Sequence, residues 1–236
     1  RPSPVDSGMH AATLSPAAQA QLATDCHLHI FTGHVVVAGA RYQPHYEAKL
    51  SDWLMLAGAC GICRGILVQP SFLGTDNRHM LSALAEHPDR LRGVAVVPST
   101  ARNAEFADLK LRGVRGIRLN LHGVANDLAL VRELPTAWWD ALLAEGLHLE
   151  LHASIGRAGA LLPALPQGVS VVLDHFGKPS MPFPDDGVFR AASARTGDVY
   201  VTLSGGYRQH TDVQSALPAV AKCWLDAVGV ERLLWA

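Results

Sequence analysis

Residues 136–152 read TAWWDALLAEGLHLELH, and the two halves of this stretch keep different rhythms. In 136–145 the side chains of Trp138, Trp139, Leu142 and Leu143 fall on or near one face at helical spacing. In 147–152 leucines alternate with His148, Glu150 and His152, the period-two pattern of a strand with one apolar face. Only Gly146 separates the halves, so a helix is expected to stop there and hand over to a strand.

The same unit recurs on both sides. Toward the amino terminus, strands are expected at 24–31, 65–69, 91–97 and 114–121, with helices at 47–58, 77–87 and 103–111 between them. Pro70, Pro88 and Pro98 close three of these elements. Toward the carboxyl terminus follow a short helix at 157–165, a strand at 169–175, a helix at 188–195 and a strand at 199–204. A longer helix at 212–228 runs through Pro218, and an eighth strand begins at 233–235. Seven strand-helix units and an eighth strand, joined by mostly short connections, define a parallel α/β architecture. A chain of 236 residues lies near the ~250 typical of a (β/α)8 TIM barrel. The first strand is not followed by Gly-x-Gly-x-x-Gly, so the dinucleotide-binding alternative loses its usual support. The C-terminal part of the eighth unit is expected beyond Ala236. Residues 1–22, rich in Ala, Ser, Pro and Gln, are expected to form an N-terminal arm ahead of one barrel domain at 23–236.

Composition narrows the partners. Lys plus Arg number 20 against 21 Asp plus Glu, for a net charge of −1, so no basic field is available for nucleic acid or an anionic membrane. No apolar run reaches the roughly 18–20 residues of a membrane span. A small-molecule substrate and a cytoplasmic location are the expectation, with the oligomeric state open between monomer and homo-oligomer. Four cysteines are too few for a disulfide scaffold, and reduced thiols are expected. Cys60-Gly-Ile-Cys63 has redox spacing but falls where a helix runs into a strand, and it reads as incidental.

Barrel active sites sit at the carboxyl ends of the strands. The first strand carries Asp25, His27 and His29 at alternate positions, which would share one face. Two imidazoles there suit either a divalent metal or a pair of donors aimed at a developing oxyanion. The other ends supply Arg118, Asn120 and His122, then Glu150 and His152, then His175, then Ser204 followed by Tyr207 and Arg208. Satisfied core polar groups would have to explain five strand ends together, so a site is expected. The connections 32–45 and 122–135 are long enough to shape its specificity.

Five stretches, DCHLHIF (25–31), VQPSFLGTDN (68–77), GVRGIRLN (113–120), LDHFGKP (173–179) and LSGGYR (203–208), resemble the amidohydrolase superfamily. The likeness is to the TIM-barrel branch that includes 2-pyrone-4,6-dicarboxylate lactonase and sugar lactonases. It implies a hydrolase that opens a lactone, carboxylated like 2-pyrone-4,6-dicarboxylate or derived from a sugar acid. His27, His29 and His175 would polarise the ring carbonyl, and Arg118, Asn120, Tyr207 and Arg208 would bind the substrate. An Asp expected beyond Ala236 would activate water, with Glu150 and Asp174 as weaker substitutes. Metal-binding members of the superfamily imply His27, His29 and His152 as ligands of zinc or manganese if a metal is bound. The fourth strand has no lysine to carry a bridging carboxylate, so the cofactor is expected to be none or one divalent metal. The rival readings are a single-metal amidohydrolase or decarboxylase and a non-catalytic binding protein on the same barrel.

Overall fold

The computed structural model describes residues 23–33, 36–40, 42–195 and 198–236, so the arm expected at 1–22 lies outside the described residues. Eight parallel strands follow one another in chain order: β1 (Ala23–Leu28), β2 (Ile62–Val68), β3 (Leu91–Ala95), β4 (Val114–Asn120), β5 (His148–His152), β6 (Val171–Leu173), β7 (Val199–Leu203) and β8 (Leu233–Trp235). β8 packs against β1, so the sheet nearly closes on itself as a (β/α)8 barrel. Around it lie α1 (Leu50–Ala59), α2 (Arg78–Glu86), α3 (Asn103–Leu111), α4 (Asp127–Glu133), α5 (Thr136–Ala144), α6 (Ala158–Leu161), α7 (Gly187–Ser193), α8 (Thr211–Ser215) and α9 (Leu217–Val228). The stretch 136–152 is α5 and β5 in succession. In α5 the residues Trp138, Trp139, Ala141 and Leu142 are buried. The Trp138 ring meets Phe106 of α3 edge-on at 5.3 Å, and its indole N–H donates to the Pro98 carbonyl, so the polar edge is satisfied where the apolar face is buried. No helix among the described residues is long and apolar enough to cross a membrane, and the four cysteines are free thiols.

Four departures from the sequence pattern each have a cause visible in the structure. Asp25 pairs with Gly65 but Leu28 with Leu67, so β1 carries one extra residue between them and ends before His29. Asp25 is thereby turned to the helix side, where it accepts from the Trp53 indole of α1 at 3.0 Å, while His27 faces the barrel interior. Asp25, His27 and His29 therefore do not share a face. The strand expected to reach residue 175 stops at Leu173, because His175, Phe176, Gly177 and Lys178 all have positive φ, 53°, 55°, 64° and 47°. The connection 122–135 contains α4, held by the buried Asp127 carboxylate, which accepts from Arg157 at 2.7 and 3.0 Å. The helix expected at 212–228 is two helices parted at Ala216, which places Pro218 in the first turn of α9, where a missing N–H costs nothing.

Strand register builds the interior in layers: Gly116 lies beside His148, Arg118 beside Glu150 and Asn120 beside His152. A Cβ on Gly116 would stand 2.3 Å from His148 Nε2, so the glycine is the space that the imidazole fills. Burial, aided by Lys110, outweighs the hydrogen bond that the ring donates to the Arg115 backbone and pushes His148 down to about 4. A histidine held neutral in the folded state takes up a proton on unfolding. The unfolded chain then binds more protons between pH 6.5 and about 4, and stability falls as pH falls through that window. The urea midpoint is expected to drop between pH 7 and pH 4, with His148 contributing on the order of 3 kcal/mol. A His148→Gln variant should lose that part of the slope; a slope identical to the parent's would refute the assignment.

Candidate active site

The deepest part of the site is built from charge. Arg118 of β4 directs Nη2 to Asp174 Oδ2 at 2.6 Å, Nε to Glu150 Oε1 at 3.2 Å and Nη1 to the Gln69 carbonyl at 3.3 Å. All three side chains are almost fully buried, and a guanidinium taken from water requires such compensation. The two carboxyls respond in opposite ways. Burial raises Asp174, but Arg118 and His27 outweigh it and hold the group well below the usual carboxylate range. Burial and the Asp174 charge push Glu150 well above that range despite Arg118. One ionised and one proton-retaining carboxyl thus share one cation. His27 completes the cluster, with Nδ1 3.3 Å from Asp174 Oδ1 and 3.5 Å from Glu150 Oε1. Neither of its ring nitrogens makes a closer hydrogen bond among the described residues.

Above this cluster, at the carboxyl ends of the strands, opens a cavity of about 460 Å³. His29, Arg118, Asn120, His152, His175, Tyr207 and Arg208 line it, together with Tyr42, Tyr46 and His122. Of the residues singled out from sequence, Asp25, Glu150, Asp174 and Ser204 are not in the wall, and neither is His27. It lies beneath the floor, 5 % exposed, with its ring centroid 5.0 Å from that of His29 and 5.3 Å from that of His175. Arg118 borders the cavity, but its fork is directed at Asp174 and Glu150. Arg208 is the exposed cation: its guanidinium lies 5.2 Å from the centre of the Tyr207 ring, and no carboxylate among the described residues pairs with it. Tyr42 and Tyr46, hydrogen-bonded to each other, come from the long connection after β1, and nothing in their spacing marks them as site residues.

The imidazoles differ in which nitrogen they offer. His29 donates from Nδ1 to the Val68 carbonyl at 2.7 Å, because a carbonyl can only accept. Its Nε2 lone pair is left for other use, and burial with the charges of His27 and Arg118 holds the ring well below its usual value. His175 meets Ser204 Oγ at 3.1 Å; Ser204 donates on to Thr202 Oγ1, and Thr202 to the Leu173 carbonyl. That chain ends on an acceptor, so His175 donates from Nδ1 and also keeps a lone pair on Nε2. Burial lowers His175 to about 3, with Asp174 opposing and His27, Arg208 and Lys178 assisting. His152 is different: its Nε2 lies 2.7 Å from Lys178 Nζ. Burial drives its value far down against the pull of Asp174.

Ligand atoms of His27, Asp174 and His175 lie within 4.8 Å of one another, a separation that a single metal ion can span. His27 Nε2 has no hydrogen-bond partner among the described residues, and His27 Nδ1 and Asp174 Oδ1 meet only each other and Glu150 at 3.3 Å or more, so these residues fit a divalent ion. His29 has its N–H anchored on a backbone carbonyl, as metal-ligating imidazoles do. His152 has its Nε2 lone pair directed at an ammonium, away from any ion.

The loop that carries His175 and Lys178 is strained. Left-handed backbone costs about 1–2 kcal/mol at each non-glycine residue, and three are present here. Gly177 admits no side chain, since a Cβ there would lie 2.6 Å from Trp224. The Trp224 indole donates to the Phe176 carbonyl at 2.8 Å, so α9 clamps the turn from outside.

The amidohydrolase family profile matches residues 24–236. The 4-sulfomuconolactone hydrolase of Rhizobium radiobacter is 29% identical over 231 residues, covering 90% of this chain and 74% of that protein. The 2-pyrone-4,6-dicarboxylate hydrolase of Comamonas testosteroni is 29% identical over 164 residues, covering 67% of this chain and 53% of that protein. Among solved structures, a probable 2-pyrone-4,6-dicarboxylic acid hydrolase from Acinetobacter baumannii, crystallised with citric acid bound, superposes with a TM-score of 0.77. It shares 31% identity over 91% of this chain and 83% of its own.

Proposed function

The chain belongs to the amidohydrolase family and is a hydrolase, and from that premise we propose that it opens a carboxylated lactone bound in the 460 Å³ cavity. The observation that carries this reading is the wall itself: an uncompensated guanidinium, Arg208, at the rim, and four imidazoles, His29, His122, His152 and His175, over a buried Arg118–Asp174–Glu150 cluster. A guanidinium at the rim suits a carboxylate, and the tyrosines beside it suit a flat ring. The named activities of the relatives, on a pyrone dicarboxylate and a sulfonated muconolactone, agree in taking anionic lactones.

In this reading water attacks the ring carbonyl over the His27, His29 and His175 cluster, and His29 and His175, each with a lone pair on Nε2, suit taking up the proton that the water gives and passing it to the ring oxygen that leaves. Asn120 and Tyr207 flank the bound ring, with Arg208 and the outer face of Arg118 toward its carboxylates. The test is to offer the protein carboxylated lactones in a pH-stat. Turnover is expected, and Arg208→Gln should raise KM about 10-fold with kcat little changed, the signature of a group that binds ground and transition states alike. Saturable binding without turnover would instead identify a binding protein.

A second reading, a single-metal hydrolase, is favoured by one observation: His29 and His175 turn their N–H groups to the protein and keep lone pairs on Nε2. His27, Asp174 and His175 would hold such an ion, and the chemistry it would supply is Lewis-acid polarisation of the carbonyl. Stoichiometric zinc or manganese in the purified protein, with activity lost on chelation and restored by the metal, would select this reading.

A further inference from the structure

We propose that Lys178 is a positioning residue that makes His152 the neutral N–H donor of the cavity. Lys178 is 2 % exposed, yet it follows β6 by only a few residues and belongs to the left-handed run that begins at His175. That run brings the ring of His175 to 5.2 Å from that of His152, between centroids, and the Lys178 ammonium to 2.7 Å from its Nε2. An ammonium has donors and no acceptor. Nε2 of His152 must therefore accept, and the single ring proton must reside on Nδ1.

Nδ1 is buried and has no hydrogen-bond partner among the described residues, while the ring itself forms part of the cavity wall. A buried donor without an acceptor is costly unless something else supplies one. A carbonyl or carboxylate oxygen of the bound substrate supplies it. Of His29, His152 and His175, the first and last have their N–H groups committed to protein acceptors, so His152 is the one of the three with a proton to offer. The strain at 175–178 thus has a structural return: it delivers the cation that fixes the tautomer. Burial of His152 acts in the same direction by disfavouring a doubly protonated ring.

The tautomer is a property of the chain without substrate, whereas its catalytic use rests on the lactonase reading; the two are measured separately. With 15N-histidine labelling of the full chain, long-range 1H–15N spectra are expected to show His152 protonated at Nδ1 and unprotonated at Nε2, the assignment made by loss of the signals in His152→Gln. In Lys178→Met the lone pair loses its donor, and the two nitrogens should become exchange-averaged. Lys178→Arg, which restores a donor without acceptors, should return the resonances toward those of the parent. On a carboxylated lactone, Lys178→Met should lower kcat about 10²-fold with KM nearly unchanged, and Lys178→Arg should recover part of it, in the range that losing a ring-orienting partner costs. A His152 protonated at Nε2 in the parent overturns the proposal, and so does a Lys178→Met protein with unaltered tautomer and turnover. If Lys178→Met does not fold, the parent spectrum and Lys178→Arg decide alone. If the tautomer is found but no lactone is turned over, the positioning role stands and the lactonase reading falls.

Discussion

Asp174→Asn is expected to cost about 3 kcal/mol of unfolding free energy at neutral pH, and Glu150→Gln about 1 kcal/mol or less, although both carboxyls touch the same guanidinium. The two side chains are equally buried and both lie within salt-bridge distance of Arg118. They differ in charge state. Asp174 is the ionised partner, and its removal leaves a buried cation insufficiently compensated. Breaking such a pair typically costs about 3–5 kcal/mol. The lower end is expected because Glu150 is held up partly by the Asp174 charge; once that charge is gone, Glu150 ionises more readily and takes over part of the compensation. The double variant should therefore lose more than the sum of the single ones, since no carboxylate then remains.

The pH trends separate the two further. Asp174 has a depressed folded-state value, so its contribution is present above the unfolded value of 3.8 and disappears as pH falls through the folded one. The cost of Asp174→Asn should grow from acid to neutral pH. Glu150 has a raised folded-state value, so its contribution is present below 4.5 and is lost as pH rises through the folded one. Glu150→Gln should become relatively more stable than the parent as pH rises. Urea titrations of Asp174→Asn from pH 2.5 to pH 5 and of Glu150→Gln from pH 4.5 to pH 7.5 suffice. Equal costs with parallel pH trends would show that the charges are not divided in this way.

The sequence pattern identified every one of the eight strands, because each is a buried or half-buried run rich in apolar residues, most of them followed within a few residues by Pro, Gly or Asn, and these signals are local. What it missed depended on contacts distant in sequence. The extra residue in β1 follows from pairing with Gly65 and Leu67, some forty positions away, and it decides that Asp25 serves Trp53 while His27 joins Arg118's carboxylates. The early end of β6 follows from a left-handed turn clamped by Trp224, and single-residue propensities argue against three non-glycine residues in that conformation. Helix α4 lacked a long apolar face and is held by Asp127 to Arg157. For the site, the histidines and arginines at strand ends were legible because the barrel places strand ends together. Their division of labour was not, since it depends on which nitrogen meets a carbonyl, a hydroxyl or an ammonium. Lys178 stood in the quoted motif 173–179 without any local sign that it reaches His152 on another strand.

His27→Ala and His175→Ala are each expected to lower kcat on a carboxylated lactone by about 10² or more, the size that losing a positioned proton-transfer group costs. The two should differ in what else they disturb. His27 lies under the floor with Nδ1 against Asp174 and Glu150, so its removal takes away one of the influences that depress Asp174. A cavity is also left beside two carboxyls, and about 2–3 kcal/mol of stability should go with it. His175 is part of the wall, and its side chain ends on Ser204 rather than on a charge. Its loss should leave Ser204 able to bond water and cost stability of about 1 kcal/mol. Turnover should therefore fall in both variants while the urea midpoint falls clearly only in His27→Ala. Near-normal kcat in both would remove the imidazoles from the chemistry and move the search for the electrophile to His152 and its lysine. A large loss in both that is reversed by added zinc or manganese would instead assign these rings to a metal, since an ion at millimolar concentration can offset the affinity lost with one ligand but not a missing proton-transfer group.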